Sequence, residues 1–304
     1  MKFFLILLFV FGCSKSNGLT EQTNYIEQAE TPQSWSDFID YRQGNIPLLI
    51  ISVHGGSLEP DWIKTRTCDD AKIITDSYTR EIALKIESQL KKNGYNPYIV
   101  LNDLHRKKLD LNRSLNNSNC NDLTTRPYWN LFHKQVDHYR TEIQNQFGRG
   151  LVIDIHGQSH EEQRIELGYL LSSSELRMNN LSINSSDLKN ESSIKSLLNN
   201  NSYHLELTDL LTGESSMGNL LSLKGYASVP SKDEIAPQEG ELYFSGGYNT
   251  AKYGSRDNGS VDAIQVELNM NGVRNTSENR SAFSKNFAEV LISYLRMYYK
   301  SDLL

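Results

Sequence analysis

The sequence predicts an α/β fold: a mostly parallel sheet with helices on both faces. Three observations predict it. Apolar runs of strand length, rich in β-branched residues, stand at 48–53, 97–101 and 151–155. Stretches with helical apolar spacing separate them. The resulting order of strand, helix, strand, helix, strand is the one that builds parallel sheets through crossover connections.

Each element has its own signal. Leu48 to Val53 is bounded by turn residues and reads as a buried strand. Ile73 to Leu90 carries Ile82, Leu84, Ile86 and Leu90 among charges, and Asn93-Gly94 supplies a left-handed stop. Pro97 to Leu101 is the second strand. Pro127 to Phe147 starts with proline in its first turn and lines up Trp129, Phe132, Val136, Tyr139, Ile143 and Phe147 on one side. Leu151 to Ile155 is the third strand. Residues 172–203 are dense in Ser and Asn and read as a surface excursion with a short helix near Ile194 to Leu198. Residues 240–254, rich in Gly, Tyr and Phe, read as a cleft-lining loop. Val261 to Leu268 is a strand, and Arg280 to Tyr299 a closing amphipathic helix.

The chain has 304 residues and a net charge of −6 with mixed signs and no basic block, which argues against nucleic acid as a partner. Residues 1–12 have the lysine and apolar run of a secretory leader, too short to span a membrane. Cys13 follows Val-Phe-Gly, as in the cleavage box of bacterial lipoproteins, and residues 13–45 then form a tether and N-terminal extension ahead of a domain over 46–304. The expected location is outside the cytoplasm, on the periplasmic or cell-surface side of a bacterium, with the membrane held through a lipid on Cys13; the alternative is an ordinary cleaved signal peptide. Cys68 and Cys120 meet oxidising conditions in an exported chain and either pair or stay as free thiols.

The chemistry gathers at strand ends. The first strand stops at His54-Gly55-Gly56, followed by Glu59-Pro60, and the third ends Asp154-Ile155-His156-Gly157. Parallel neighbours bring both histidines to one edge of the sheet, where open α/β sheets bind ligands. With Glu59 they form a His-Glu-His set of the kind that holds catalytic zinc and leaves a position for water. Asp154 shares a strand face with His156 and is placed to orient an imidazole. In Val261 to Leu268 the residues alternate, so Gln265 and Glu267 share one face; Glu267 is either the carboxylate that takes a proton from water or part of an exposed edge. The loop from His105 to Arg113 concentrates positive charge. Arg113 can grip a carboxylate, Asn112 can add a directional hydrogen bond, and Arg106 can assist; the alternative is a solvated basic loop. Arg164 opens the next strand near the cleft.

With these pieces in order, the chain resembles the N-formylglutamate amidohydrolase family, and more distantly the phage-type poly-γ-glutamate hydrolases. Both have the zinc carboxypeptidase-like, phosphorylase/hydrolase-like fold. The resemblance rests on His54-Gly-Gly-Ser-Leu-Glu59-Pro60, His105-Arg106 leading to Asp110-Leu-Asn112-Arg113, Asp154-Ile-His156, the Gly246-Gly247-Tyr248 to Tyr253-Gly254 loop, and Gln265-Val-Glu267-Leu268. The first loop looks closer to the polyglutamate hydrolases. The resemblance implies one Zn2+ per chain on His54, Glu59 and His156, Glu267 as the catalytic carboxylate, and Asn112 and Arg113 as the clamp for a substrate carboxylate. The expected activity is metal-dependent hydrolysis of an amide in a small carboxylate-bearing substrate: an N-acyl amino acid, a γ-glutamyl compound or a peptide end. The alternative is a non-catalytic surface lipoprotein that binds a ligand or metal on the same fold.

Overall fold

The structure is a computed structural model and describes residues 34–185 and 187–299. The strands among them are β1 (Ile39–Arg42), β2 (Leu48–Ser52), β3 (Tyr98–Asn102), β4 (Gly150–Gly157), β5 (Ile165–Gly168), β6 (Ser228–Val229) and β7 (Val261–Leu268). They form one sheet in the order β1-β3-β2-β4-β7-β5-β6. β3, β2, β4 and β7 run parallel, as do β5 and β6; β1 pairs antiparallel with β3, and β5 antiparallel with β7. The sheet is therefore mixed and mostly parallel, as the sequence predicts.

The long helices are α1 (Thr79–Lys92), α3 (Arg126–Phe147) and α11 (Ser277–Tyr298), with the one-turn α2 (Leu115–Ser118) between the first two. Between β5 and β6 come six short helices: α4 (Ser173–Leu176), α5 (Asn180–Ser185), α6 (Leu188–Glu191), α7 (Lys195–Asn200), α8 (Leu207–Thr212) and α9 (Met217–Ser222). α10 (Tyr248–Tyr253) precedes β7. None of the described helices is long and apolar enough to cross a membrane.

Strand alternation sorts the core into two layers. Leu48, Ile50, Ile153, Ile155, Ile264 and Val266 face α1 and α11, where they meet Ile82, Ile86, Phe283, Phe287 and Leu291. Leu49, Ile51, Val152 and Ala263 face α3 and its Phe132, Val136, Tyr139 and Ile143. Each of these side chains is fully or nearly fully buried, which for the Val, Leu, Ile and Phe side chains contributes on the order of 1.5–3 kcal/mol apiece to the folded state before entropy is counted. The α3 end signals work as written: Pro127 lies in the first turn, and Gly148 takes φ 76° just past the last residue.

Three boundaries move. α1 begins at Thr79 rather than Ile73, because Tyr78 takes a left-handed conformation that a helix interior excludes. Ile73 and Ile74 are left in a loop, Ile74 80% exposed. Residues 39–42, assigned above to the N-terminal extension, supply the edge strand of the sheet. The Ser/Asn-rich excursion contains four short helices, not one. The leader and Cys13 lie outside the described residues.

Candidate metal centre

β2, β4 and β7 end side by side. His54 lies two residues past β2, and β4 and β7 pair Asp154 with Gln265 and His156 with Glu267. Those four side chains share the α3 face, above the apolar Val152 and Ala263. The lower part of each strand builds core, and the upper part of the same face carries chemistry.

Between the two histidines stands Asp76, from the loop just before α1. Its Oδ2 lies 3.3 Å from His54 Nδ1 and 3.1 Å from His156 Nδ1. Donor atoms of His54, Asp76 and His156 all lie within 4.8 Å of one another, and all three residues are buried. The Asp76 backbone N–H donates to the His54 carbonyl at 3.0 Å, and Gly157 N–H donates to Oδ2 at 3.2 Å, so the loop is fixed to both strand ends. The imidazoles are backed on their far sides. His54 Nε2 meets Asp110 Oδ1 at 2.7 Å, and His156 Nε2 lies 3.0 Å from Asp154 Oδ2. A carboxylate behind each ring, with the other nitrogen turned inward, is how proteins orient metal-binding histidines.

The residues fit a divalent cation on two further counts. Asp154 is buried to 1% exposure, yet neither carboxylate oxygen has a hydrogen-bond partner, although His156 Nε2 lies 3.0 Å away. Asp76, Asp110, Asp154, Glu166 and Glu267 are all buried around this edge; such a concentration of acid is costly without compensating positive charge. Two imidazoles and a carboxylate are also a donor set that zinc accepts.

The electrostatics follow from the same contacts. Burial opposes charge on Asp76, but His54 and His156 outweigh it and hold its carboxyl well below the usual range. Burial likewise opposes the His156 imidazolium, and Asp154 and Asp76 overcome it, raising that ring well above its ordinary value. Glu267 is pushed up to about 8, by burial first and then by Asp76, Glu166 and Asp154, against the pull of His156. Gln265 Nε2 donates to Glu267 Oε1 at 2.9 Å and fixes its orientation.

The cavity over this centre has a volume of about 380 Å³. His54, Asp76, His156, Gln265 and Glu267 form its floor, and Arg106, Asn112, Arg113, Phe244, Gly247 and Tyr248 are among the residues that wall it. Arg106 is engaged with Asp76 at 3.4 Å and Asp110 at 3.1 Å. Arg113 is half exposed, with its Nε 4.0 Å from Asp110. Asn112 accepts from the Asn249 N–H at 2.9 Å and turns its amide nitrogen to within 3.4 Å of His156 Nε2.

Glu59 does not join the histidines. After Gly56 the chain runs alongside residues 104–105, with bridges Gly56 to His105 and Leu58 to Leu104. That path takes Glu59 to the surface, where it pairs with Lys107 and lies 3.4 Å from His105 Nε2. The glycines are needed for the path: a Cβ on Gly55 would sit 2.5 Å from Arg80 N. Asp76 is the carboxylate that stands beside the two histidines. Arg164 also leaves the site, because Glu234 and Glu241 hold its guanidinium. Cys68 and Cys120 form a disulfide. Asp76 and Asp110 carried a weak sequence signal: an acid shortly before a helix reads as a cap, and an acid in a basic loop reads as charge balance.

No protein-family model and no curated protein matches the chain. Solved structures do. The crystal structure of gene product Atu2144 from Agrobacterium tumefaciens superposes with a TM-score of 0.52 at 11% identity, covering 85% of this chain and 95% of that one. The N-formylglutamate amidohydrolase from Ralstonia eutropha JMP134 gives 0.50 at 11% identity, covering 85% and 98%. A bacteriophage poly-γ-glutamate hydrolase overlaps more loosely, with a TM-score of 0.36 at 14% identity, covering 86% of this chain and 89% of that one. At these identities the likeness is one of fold: the chain has the mixed, mostly parallel sheet architecture of an N-formylglutamate amidohydrolase.

Proposed function

We propose that the protein is a zinc-dependent hydrolase that cleaves an amide bond in a carboxylate-bearing substrate. One observation carries the reading: His54, Asp76 and His156 converge beneath a cavity whose floor also holds Glu267. Those three side chains would hold zinc, which would supply a Lewis acid and lower the pKa of a water toward 7. Asp110 holds the His54 imidazole in register through its hydrogen bond, and the Asp154 carboxylate stands behind His156 at 3.0 Å. Glu267, steadied by Gln265, is the group that takes a proton and returns it to the leaving amine. Arg113 is the guanidinium of the wall least committed to protein carboxylates, and with Asn112 it receives the substrate carboxylate. The leader and Cys13 add that the enzyme works outside the cytoplasm, tethered by lipid to a membrane.

Changing Glu267 to Gln should lower kcat on N-acyl-glutamates or γ-glutamyl substrates by at least 10²-fold, the scale of a positioned acid–base group, while zinc content stays at the wild-type level. Unchanged turnover removes Glu267 from the mechanism. Zinc binding without hydrolysis of any amide favours the non-catalytic ligand-binding reading.

A further inference from the structure

The cavity wall contains an aromatic group that the proposed chemistry does not use. Phe244 lines the cavity and is 44% exposed. It is nonetheless firmly held. Its backbone N–H donates to Glu166 Oε2 at 2.8 Å, and Glu166 Oε1 meets His160 Nδ1 at 2.7 Å. The His160 ring then stacks behind Phe244, with centroids 4.6 Å apart and planes 23° from parallel. Flanking residues are tied to the sheet as well: Tyr243 OH donates to the Leu167 carbonyl at 2.6 Å, and Leu170 N–H to the Ser245 carbonyl at 2.6 Å. Gly246 turns the chain at φ 121°, a value closed to most side chains. A second aromatic, Tyr248, lines the same cavity. Its ring lies 5.7 Å from His133 and 6.3 Å from Trp129.

We propose that Phe244, backed by His160 and Glu166, forms a subsite for an apolar or planar group joined to the substrate across the scissile amide. This rests on the hydrolase reading for the site's chemistry, and goes beyond it by naming the acyl side. A rigid, solvent-facing ring at a ligand cavity offers contact area without an ordering cost. A cavity of about 380 Å³ lies in the range that takes ligands of drug size, room for an amino acid together with a bulky N-acyl group. The ligand class is therefore an amino acid whose nitrogen bears a bulky apolar or aromatic acyl group, or a peptide with such a residue, with its carboxylate toward Arg113.

The test compares N-benzoyl-glutamate with N-formyl-glutamate on zinc-loaded protein. Hydrolysis is followed with the wild-type chain, and binding by calorimetry to the Glu267→Gln protein. The benzoyl compound should be preferred at least tenfold. Phe244→Ala should cut that preference about tenfold, the scale of an aromatic pair plus its buried area; Phe244→Tyr should retain it. An unchanged preference in Phe244→Ala, or binding of neither compound, overturns the subsite. Hydrolysis without any dependence on Phe244 leaves the hydrolase reading and removes the subsite. A Phe244-dependent binding preference without hydrolysis keeps the subsite and removes the hydrolase reading.

Discussion

Asp76 and Glu59 differ in what their neighbours allow. Both follow a buried strand in sequence. Glu59 is led away by a chain that pairs with residues 104–105, and ends among Lys107 and His105. Asp76 returns after a long loop and is fixed by its own N–H to His54. Sequence spacing favours the near carboxylate; tertiary hydrogen bonding selects the far one. His156 and Glu267 were legible as neighbours because strand alternation fixes which residues share a face, and the observed register pairs them; His54 lies past the end of β2, where a bend rather than alternation brings it beside His156. Arg164 was not legible, since its partners Glu234 and Glu241 stand some seventy residues away. Residue-level electrostatics also reach beyond the site. Asp262, at the opposite end of β7, accepts from Ser255 at 2.5 Å, Tyr299 at 2.9 Å and Leu197 at 3.2 Å, yet burial raises it from 3.8 to about 6. The folded state thus prefers its protonated form. Its contribution is most favourable below about 3.8 and is lost as pH rises to about 6, a change on the order of 3 kcal/mol. In urea titrations the stability of wild type relative to Asp262→Asn should therefore fall between pH 4 and 6; a flat difference contradicts the assignment.

At the scale of elements, the strands were read most accurately, β7 to the residue. Their apolar faces have a two-residue period and abrupt polar ends. Loops have no such period. The stretch from Gly55 to Tyr78 contains no regular helix or strand, and it delivers Asp76. What holds it is the Cys68–Cys120 disulfide, together with Arg66, whose Nη1 lies 3.7 Å from Asp110 and whose N–H donates to the Lys107 carbonyl at 2.8 Å. The disulfide thus ties the loop carrying Asp76 to the segment that follows Asp110, Asn112 and Arg113. Replacing both cysteines by serine should cost about 2–5 kcal/mol of stability. It should also weaken zinc binding measurably, because two parts of the centre lose their common tether. Wild-type zinc affinity in the double variant excludes that second role.

At the scale of the molecule, four parallel strands gather their carboxyl ends at one edge, and the whole centre is built there. One face of the same strands is packed by α3, the other by α1 and α11, so the edge that carries His156 and Glu267 is backed on both sides. The class of fold and the sheet edge that bears the site were therefore readable from element order alone. The carboxylate beside the two histidines, Asp76, was not, because its position depends on how a loop without periodicity closes over that edge. Zinc content and affinity of purified wild-type, Asp76→Asn and Glu59→Gln proteins test the centre most directly. One zinc per chain in wild type and Glu59→Gln, with affinity lowered at least tenfold in Asp76→Asn, is the predicted result. No bound zinc in the wild type, or loss of zinc in Glu59→Gln with retention in Asp76→Asn, contradicts it.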